Sequence, residues 1–341
     1  MGYTSSKIAF PGLGIGEFTI DRVAFTVFGH PVAWYGIIIA TGMLLAILYI
    51  MYRVREYKGM TADDIIDFAL FVVIAGVIGA RLYYVITADR DYSFTEIFAI
   101  WEGGLAIYGG IIVGGITALL VCRYKKIRFQ CFFDMLAPAV MLGQLIGRWG
   151  NFCNGEAFGT ETASFLRMQL THVYASGTEH YIGMVHPTFL YESLWNLAGF
   201  ILLNVFYRKR KFDGQIVLGY LAWYGFGRMF IEGLRTDSLY VGPFRISQVV
   251  GLLSFLAATS VMIYILVTGK GKRYESASYK TANVATASET DEAADGMTTA
   301  MDKAVADTSA STGSGCNDEN SSAEKNDGGK PEQKDNSENN K

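Results

Sequence analysis

Gly147-Arg148-Trp149-Gly150-Asn151-Phe152-Cys153-Asn154-Gly155-Glu156 follows directly on the apolar run Ala137–Ile146. The run reads as the end of a membrane span. An arginine, two amides and a carboxylate then stand where lipid gives way to water. Polar groups at that depth are costly unless they are paired or bind something. Glycines let the backbone turn tightly and come close to a ligand. A phosphate with neighbouring hydroxyls, as in a lipid headgroup, suits such a cluster.

Outward from this stretch the pattern is that of a membrane fold. A membrane helix needs about 20 mostly apolar residues. Seven segments qualify, at approximately 33–52, 65–86, 104–121, 132–147, 188–206, 216–234 and 247–268. The fourth is short and contains Asp134 and Pro138. The expectation is an all-α integral membrane protein with seven transmembrane helices. Alternate connections are basic: Arg53, Arg55 and Lys58, then Arg123, Lys125, Lys126 and Arg128, then Arg208, Lys209, Arg210 and Lys211, then Lys270, Lys272 and Arg273. Short basic loops stay in the cytoplasm, so the N-terminus is expected outside and the C-terminus inside. Residues 1–30 lack the basic-then-apolar order of a cleavable signal peptide, and the first span is expected to direct insertion itself.

Composition divides the chain in two. Of 29 basic and 32 acidic residues, 6 and 14 fall within 274–341, a net charge of −8, which leaves +5 for residues 1–273. The C-terminal part has almost no large apolar side chain and cannot offset its ordering entropy by burial. The expected organisation is a membrane domain over 1–273 and a disordered acidic cytoplasmic tail over 274–341. Cys122, Cys131, Cys153 and Cys316 form no CxxC pair, fitting neither a zinc site nor a disulfide framework. No internal repeat is visible, which counts against a transporter built from inverted halves.

The chemistry-bearing residues gather on the outer side. Tyr224, Arg228, Glu232 and Arg235 are spaced 4, 4 and 3 and fall within an arc of about 80° on the sixth span. Arg228 and Glu232 can pair at i, i+4. They form either a structural ion pair or, with Arg148 and Glu156 on the same side, part of a site. Gly110 and Gly114, like Gly143 and Gly147, have the spacing of close helix packing. Tyr108, one turn into the third span, is an interfacial anchor or a site residue. His186-Pro187-Thr188-Phe189-Leu190-Tyr191-Glu192 opens the fifth span. Its proline suits a first helical turn, and His186 either titrates near neutral pH or serves as a structural donor. Arg81 snorkels or joins the cluster. His30, His172 and His180 show no partner pattern. Arg81, Arg148, Arg228 and Arg235 thus lie where the sorting rule least expects positive charge, and arginine's planar fork suits phosphate.

The string at 147–156 resembles the signature of the prolipoprotein diacylglyceryl transferase family of the bacterial cytoplasmic membrane. Gly103–Gly110, His186–Glu192, Tyr224–Asp237 and Trp34-Tyr35-Gly36 match the family's pattern in its order, over about residues 30–268. The resemblance implies transfer of the diacylglyceryl group of phosphatidylglycerol to the lipobox cysteine of a prolipoprotein, giving a thioether and glycerol phosphate. It further implies functional roles for Arg148, Asn151, Glu156, Arg228, Glu232 and Tyr35. Where some members carry histidine, this chain has Tyr108 and Ala33, so an obligatory imidazole base at 108 does not follow.

The residues allow a mechanism in which Arg148 and Arg228 stabilise charge on the departing phosphate, oriented by Glu156 and Glu232. Asn151 and Asn154 hold headgroup hydroxyls, and Tyr35, Arg81, Tyr224, Arg235 and His186 complete the phosphatidylglycerol site. Tyr108, Glu232 or His186 is the general base, or none is needed. No metal or other cofactor is expected. A transporter would need water access from both faces, whereas the polar residues gather in the outer half. A receptor would need a ligand-coupled cytoplasmic surface. An intramembrane protease would need a Ser/His, paired Asp or zinc-ligand set within the spans, and Asp134 has no partner Asp there.

Overall fold

The computed structural model describes residues 2–57, 60–88, 92–98 and 103–271. The tail expected at 274–341 lies outside the described residues, as do Lys58, Lys272 and Arg273. The chain begins with four strands, β1 (Tyr3–Phe10), β2 (Ile15–Asp21), β3 (Val23–Val27) and β4 (His30–Ala33), and passes without a break into α1 (Trp34–Val54). Next come α2 (Ala62–Thr87), the short α3 (Phe94–Ile97), α4 (Ile107–Tyr124) and α5 (Phe129–Asn154). A hairpin of β5 (Met168–Tyr174) and β6 (Glu179–Val185) precedes α6 (Thr188–Tyr207) and α7 (Gln215–Ile231). The last elements are β7 (Tyr240–Val241), β8 (Phe244–Arg245) and α8 (Ile246–Thr268).

Six of these helices, α1, α2, α4, α5, α6 and α8, are long and apolar enough to cross a membrane among the described residues. The seventh expected span, α7, is a helix of 17 residues and falls short of the others. Leu and Ile side chains on the outward faces, such as Ile78, Leu120 and Leu253, are exposed, as lipid-facing positions must be.

The all-α expectation is corrected by a four-stranded antiparallel sheet in the order β2-β1-β5-β6, which ties the first residues of the chain to the connection between α5 and α6. Its strands are short and alternate in polarity. They are rich in β-branched and aromatic residues, a period-two signal that a search for long apolar runs averages away. Ile8, Phe10, Met168, Leu170 and Val185 form its core together with Phe189 of α6.

A second correction concerns the 147–156 stretch. The fourth span was expected to end at 147, but α5 continues through Asn154, and only Gly155 leaves the helix, at φ +64°. Gly147 and Gly150 therefore serve close approach to α1 and not turning. A Cβ on Gly150 would stand 2.9 Å from Tyr35 Cδ2, and one on Gly147 3.2 Å from Ile39 Cδ1. The same device joins α2 and α4, where a Cβ on Gly110 would meet Gly76 O at 3.4 Å. The packing role expected for Gly110 and Gly147 holds.

The basic helix ends meet at one end of the bundle. Arg53 Nη2 donates to Asn204 Oδ1 at 2.6 Å, Arg210 Nη2 to Tyr57 Oη at 2.6 Å, and Lys125 Nζ to Asp64 at 2.5 Å and Asp67 at 2.7 Å. Asp134 accepts the Gly214 and Val217 amides at 2.8 and 2.9 Å. This caps α7, which has no side-chain cap of its own.

Candidate active site

At the sheet end of the helices, the site is organised around Glu192. Pro187 and Thr188 start α6, with the Thr188 hydroxyl donating to the Ala157 carbonyl. One turn on, the Glu192 side chain is 5% exposed. A buried carboxylate must be paired. Here three guanidinium groups converge on it. Arg148 Nε of α5 engages Oε2, Arg228 Nη1 of α7 engages Oε1, and Arg235 Nη1 lies 3.6 Å from Oε1. Glu232, also buried, forms ion pairs with two of them: its Oε2 lies 2.6 Å from Arg228 Nη2 and 4.0 Å from Arg235 Nε. The i, i+4 pairing expected of Arg228 and Glu232 is therefore made. The helical stripe ends sooner than expected, because α7 stops at Ile231 and Glu232–Leu234 is a 3-10 turn. Arg235 reaches back to the cluster from beyond that turn. Its Nε and Nη2 also grip Asp237, at 2.9 and 2.7 Å. Burial pushes the Asp237 carboxyl up, but the contacts with Arg235 outweigh it and hold the group below the usual carboxylate range.

The end of α5 supplies a chain of polar contacts to the same place. Arg148 Nη1 donates to Asn151 Oδ1 at 3.3 Å, and Asn151 Nδ2 donates to Glu156 Oε1 at 3.0 Å. Asn154 Nδ2 reaches the same oxygen at 3.2 Å. The left-handed turn at Gly155 brings the Glu156 carboxylate back over the last helical turn. Tyr35, packed on Gly150, is within electrostatic reach of Glu156 and Arg148. Tyr224 stacks on Tyr220 and lines a small pocket with Glu192, Trp195, Asn196 and Arg228.

Three expected site residues stand apart from the Glu192 cluster. Arg81 gives its donors to main-chain carbonyls of the α2–α4 connection: Ile97 at 3.0 Å, Gly103 at 2.6 Å, Gly104 at 3.1 Å and Glu96 at 2.5 Å. It pins that connection. His186 pairs through Nδ1 with Tyr191 Oη at 3.2 Å, at the start of α6. Tyr108 is half-buried in the first turn of α4.

Glu192, the hub, stands in the sequence only as the last residue of the His186–Glu192 motif. Its signal was available: a carboxylate in the second turn of an apolar span needs a cation. Asp237 and Arg245, whose Nη1 donates to the Glu232 carbonyl, lie in a polar connection where no such argument applies.

A family model described as "Prolipoprotein diacylglyceryl transferase" matches residues 22–264. A phosphatidylglycerol–prolipoprotein diacylglyceryl transferase of Enterococcus faecalis is 45% identical over 251 residues, covering 72% of this chain and 90% of its own. The enzyme of that name from Listeria monocytogenes serotype 4b is 42% identical over 261 residues, 74% of this chain and 92% of its own. That of Streptococcus equi subsp. zooepidemicus is 44% identical over 265 residues, 75% and 98%.

Proposed function

The chain belongs to the prolipoprotein diacylglyceryl transferase family, and on that premise we propose how it moves the diacylglyceryl group of phosphatidylglycerol to the cysteine of a prolipoprotein. The thiolate of the lipobox cysteine attacks the glycerol carbon that bears the phosphate. The C–S bond forms as the C–O bond breaks, the electron pair leaves with the phosphate, and the thiol proton ends in solution or on that phosphate. The products are a thioether and glycerol phosphate.

The observation that carries this reading is the convergence of Arg148, Arg228 and Arg235 on Glu192 and Glu232. The carboxylates hold the guanidinium groups in place before substrate arrives, so little reorganisation is needed as charge develops on the leaving phosphate. A guanidinium has five N–H donors, more than these carboxylates take up. Arg148 and Arg228 are assigned to the phosphate and Asn151 and Asn154 to the headgroup hydroxyls. Glu156 orients the two amides, and Tyr35, Tyr224 and Arg235 border the headgroup. Arg81 and His186 support the site through the α2–α4 connection and the start of α6. Tyr108 is the phenol to test as proton acceptor, since Glu232 is engaged by arginines.

We place the protein in the bacterial cytoplasmic membrane, with α7 as a seventh, shorter span. The N-terminus and the sheet lie outside, and the basic helix ends lie in the cytoplasm. Lipid enters sideways from the outer leaflet. The test is incubation of the purified chain with phosphatidylglycerol labelled in the acyl chains and a lipobox peptide. A thioether-linked product on the cysteine peptide, and none on its serine counterpart, is expected. Label on both peptides would contradict thiol attack. Undiminished turnover by Tyr108→Phe would remove the phenol from proton transfer.

A further inference from the structure

His172 belongs to none of the motifs above, yet it is buried, at 7% exposed, beneath the turn on which the 147–156 stretch ends. It lies in β5, opposite Ser6 of β1 and His180 of β6. Its ring stacks on Tyr3, with centroids 3.7 Å apart and planes within 8°, and Phe158 meets it at 6.3 Å. Held this way, Nε2 stands 2.9 Å from the Gly155 carbonyl oxygen. A carbonyl only accepts, so Nε2 carries a proton. The sheet also touches the turn at closest approach, since a Cβ on Gly155 would collide with Ser6 Oγ.

The consequence falls on the next residue. Glycine has little conformational preference of its own, so the direction in which Glu156 leaves α5 is set by what holds the turn. From the helix side, the Gly155 amide donates to Phe152 O at 3.0 Å and the Glu156 amide to Asn151 O at 3.1 Å. From the sheet side, His172 holds the Gly155 carbonyl. Glu156 Oε1 then gathers Asn151 and Asn154, and Asn151 meets Arg148.

We propose that His172 is a positioning residue for diacylglyceryl transfer: by donating from Nε2 to Gly155 O it fixes the turn that aims Glu156, and through Glu156 the amides and Arg148. It touches neither lipid nor thiol. The support for the turn comes from the sheet, one of whose two inner strands, β1, lies before the family-matched residues. The inference rests on the phosphatidylglycerol reading of the site, and its readouts are separable from that reading.

The experiment is steady-state transfer by the full chain, with KM and kcat measured for lipid and for peptide alongside the melting temperature. His172→Phe keeps the ring and its stack and removes the donor. It is expected to lower kcat/KM for phosphatidylglycerol about tenfold or more, with KM for the peptide changed by less than about twofold. His172→Gln, whose amide can donate to the same carbonyl, should restore most of the loss. In a Glu156→Gln background the Phe substitution should add little, because both act through one chain of contacts. Full additivity, an unchanged kcat/KM for lipid, or equal losses for both substrates that follow the melting temperature would overturn the proposal. Nitrogen-15 spectra of labelled histidine in the wild-type chain decide it independently of any variant's folding. An Nε2–H tautomer assigned to His172 supports it, and an Nδ1–H tautomer overturns it. A wild-type chain that transfers no lipid would count against the function, and the tautomer would still judge His172.

Discussion

Glu192 holds three guanidinium groups on one buried carboxylate, and its replacement separates charge from shape. Glu192→Gln keeps the volume but leaves Arg148, Arg228 and Arg235 facing a neutral amide. The donors for the phosphate then lose their alignment, and turnover is expected to fall by about 10² to 10³, read against protein level and melting temperature. A residual rate within about threefold of wild type would show that Glu232 alone organises the arginines. At the same scale, His172 gives a pH signature. Burial, before the opposing effect of the Gly155 hydrogen bond, pushes its pKa below the ordinary 6.5, and His180 and Arg22 add to the depression. The unfolded chain therefore takes up a proton first as pH falls through 6.5, and the fold loses stability until the folded-state value is reached. Melting temperatures between pH 8 and 5.5 should drop more steeply for wild type than for His172→Gln. Parallel curves would show that His172 titrates alike in both states. Residues of this kind were unevenly legible. Arg148, Asn151, Asn154 and Glu156 fall within nine consecutive positions, and Arg228 and Glu232 share a helical period. His172 and Gly155 meet only because a strand folds under a helix end 17 positions away.

At the scale of elements, α7 depends on α5. Asp134 supplies two hydrogen bonds at its N-terminus, and Arg210 Nε lies 3.9 Å from the same carboxylate. Asp134→Ala removes charged acceptors from buried amides and is expected to cost about 3 kcal/mol, seen as a lower denaturation midpoint in detergent. A change below about 0.5 kcal/mol would mean that water or another residue caps α7. Helices were legible because an apolar run of 20 residues has few alternatives. Their ends were less so. Arg148, Asn151 and Asn154 looked too polar for a span, yet they continue α5 by two turns because their partners Glu192 and Glu156 are close at hand. The strands were missed for a different reason. Segments of seven or eight residues with mixed polarity carry little weight beside spans three times as long, and the pairing of β1 with β5 joins residues 160 or more positions apart.

For the whole molecule, the sheet and the helices make one site. β1 contributes Ile8 and Phe10, and β2 the partly buried Ile20, to the core that also buries Leu170 and Phe189, at the back of the polar chain of α5. Removal of residues 2–21 would leave the long helices intact in sequence while stripping that cover. Transfer is expected to fall more than about tenfold even where the truncated chain inserts normally, as followed by membrane fractionation. Activity equal to wild type would show that the sheet is dispensable. The central claim is that converging guanidinium groups stabilise the leaving phosphate, and Arg148→Ala tests it most directly. Lipid transfer to a lipobox cysteine peptide, measured on membranes with matched protein levels, should fall by at least about 10². Turnover near wild type would contradict the account.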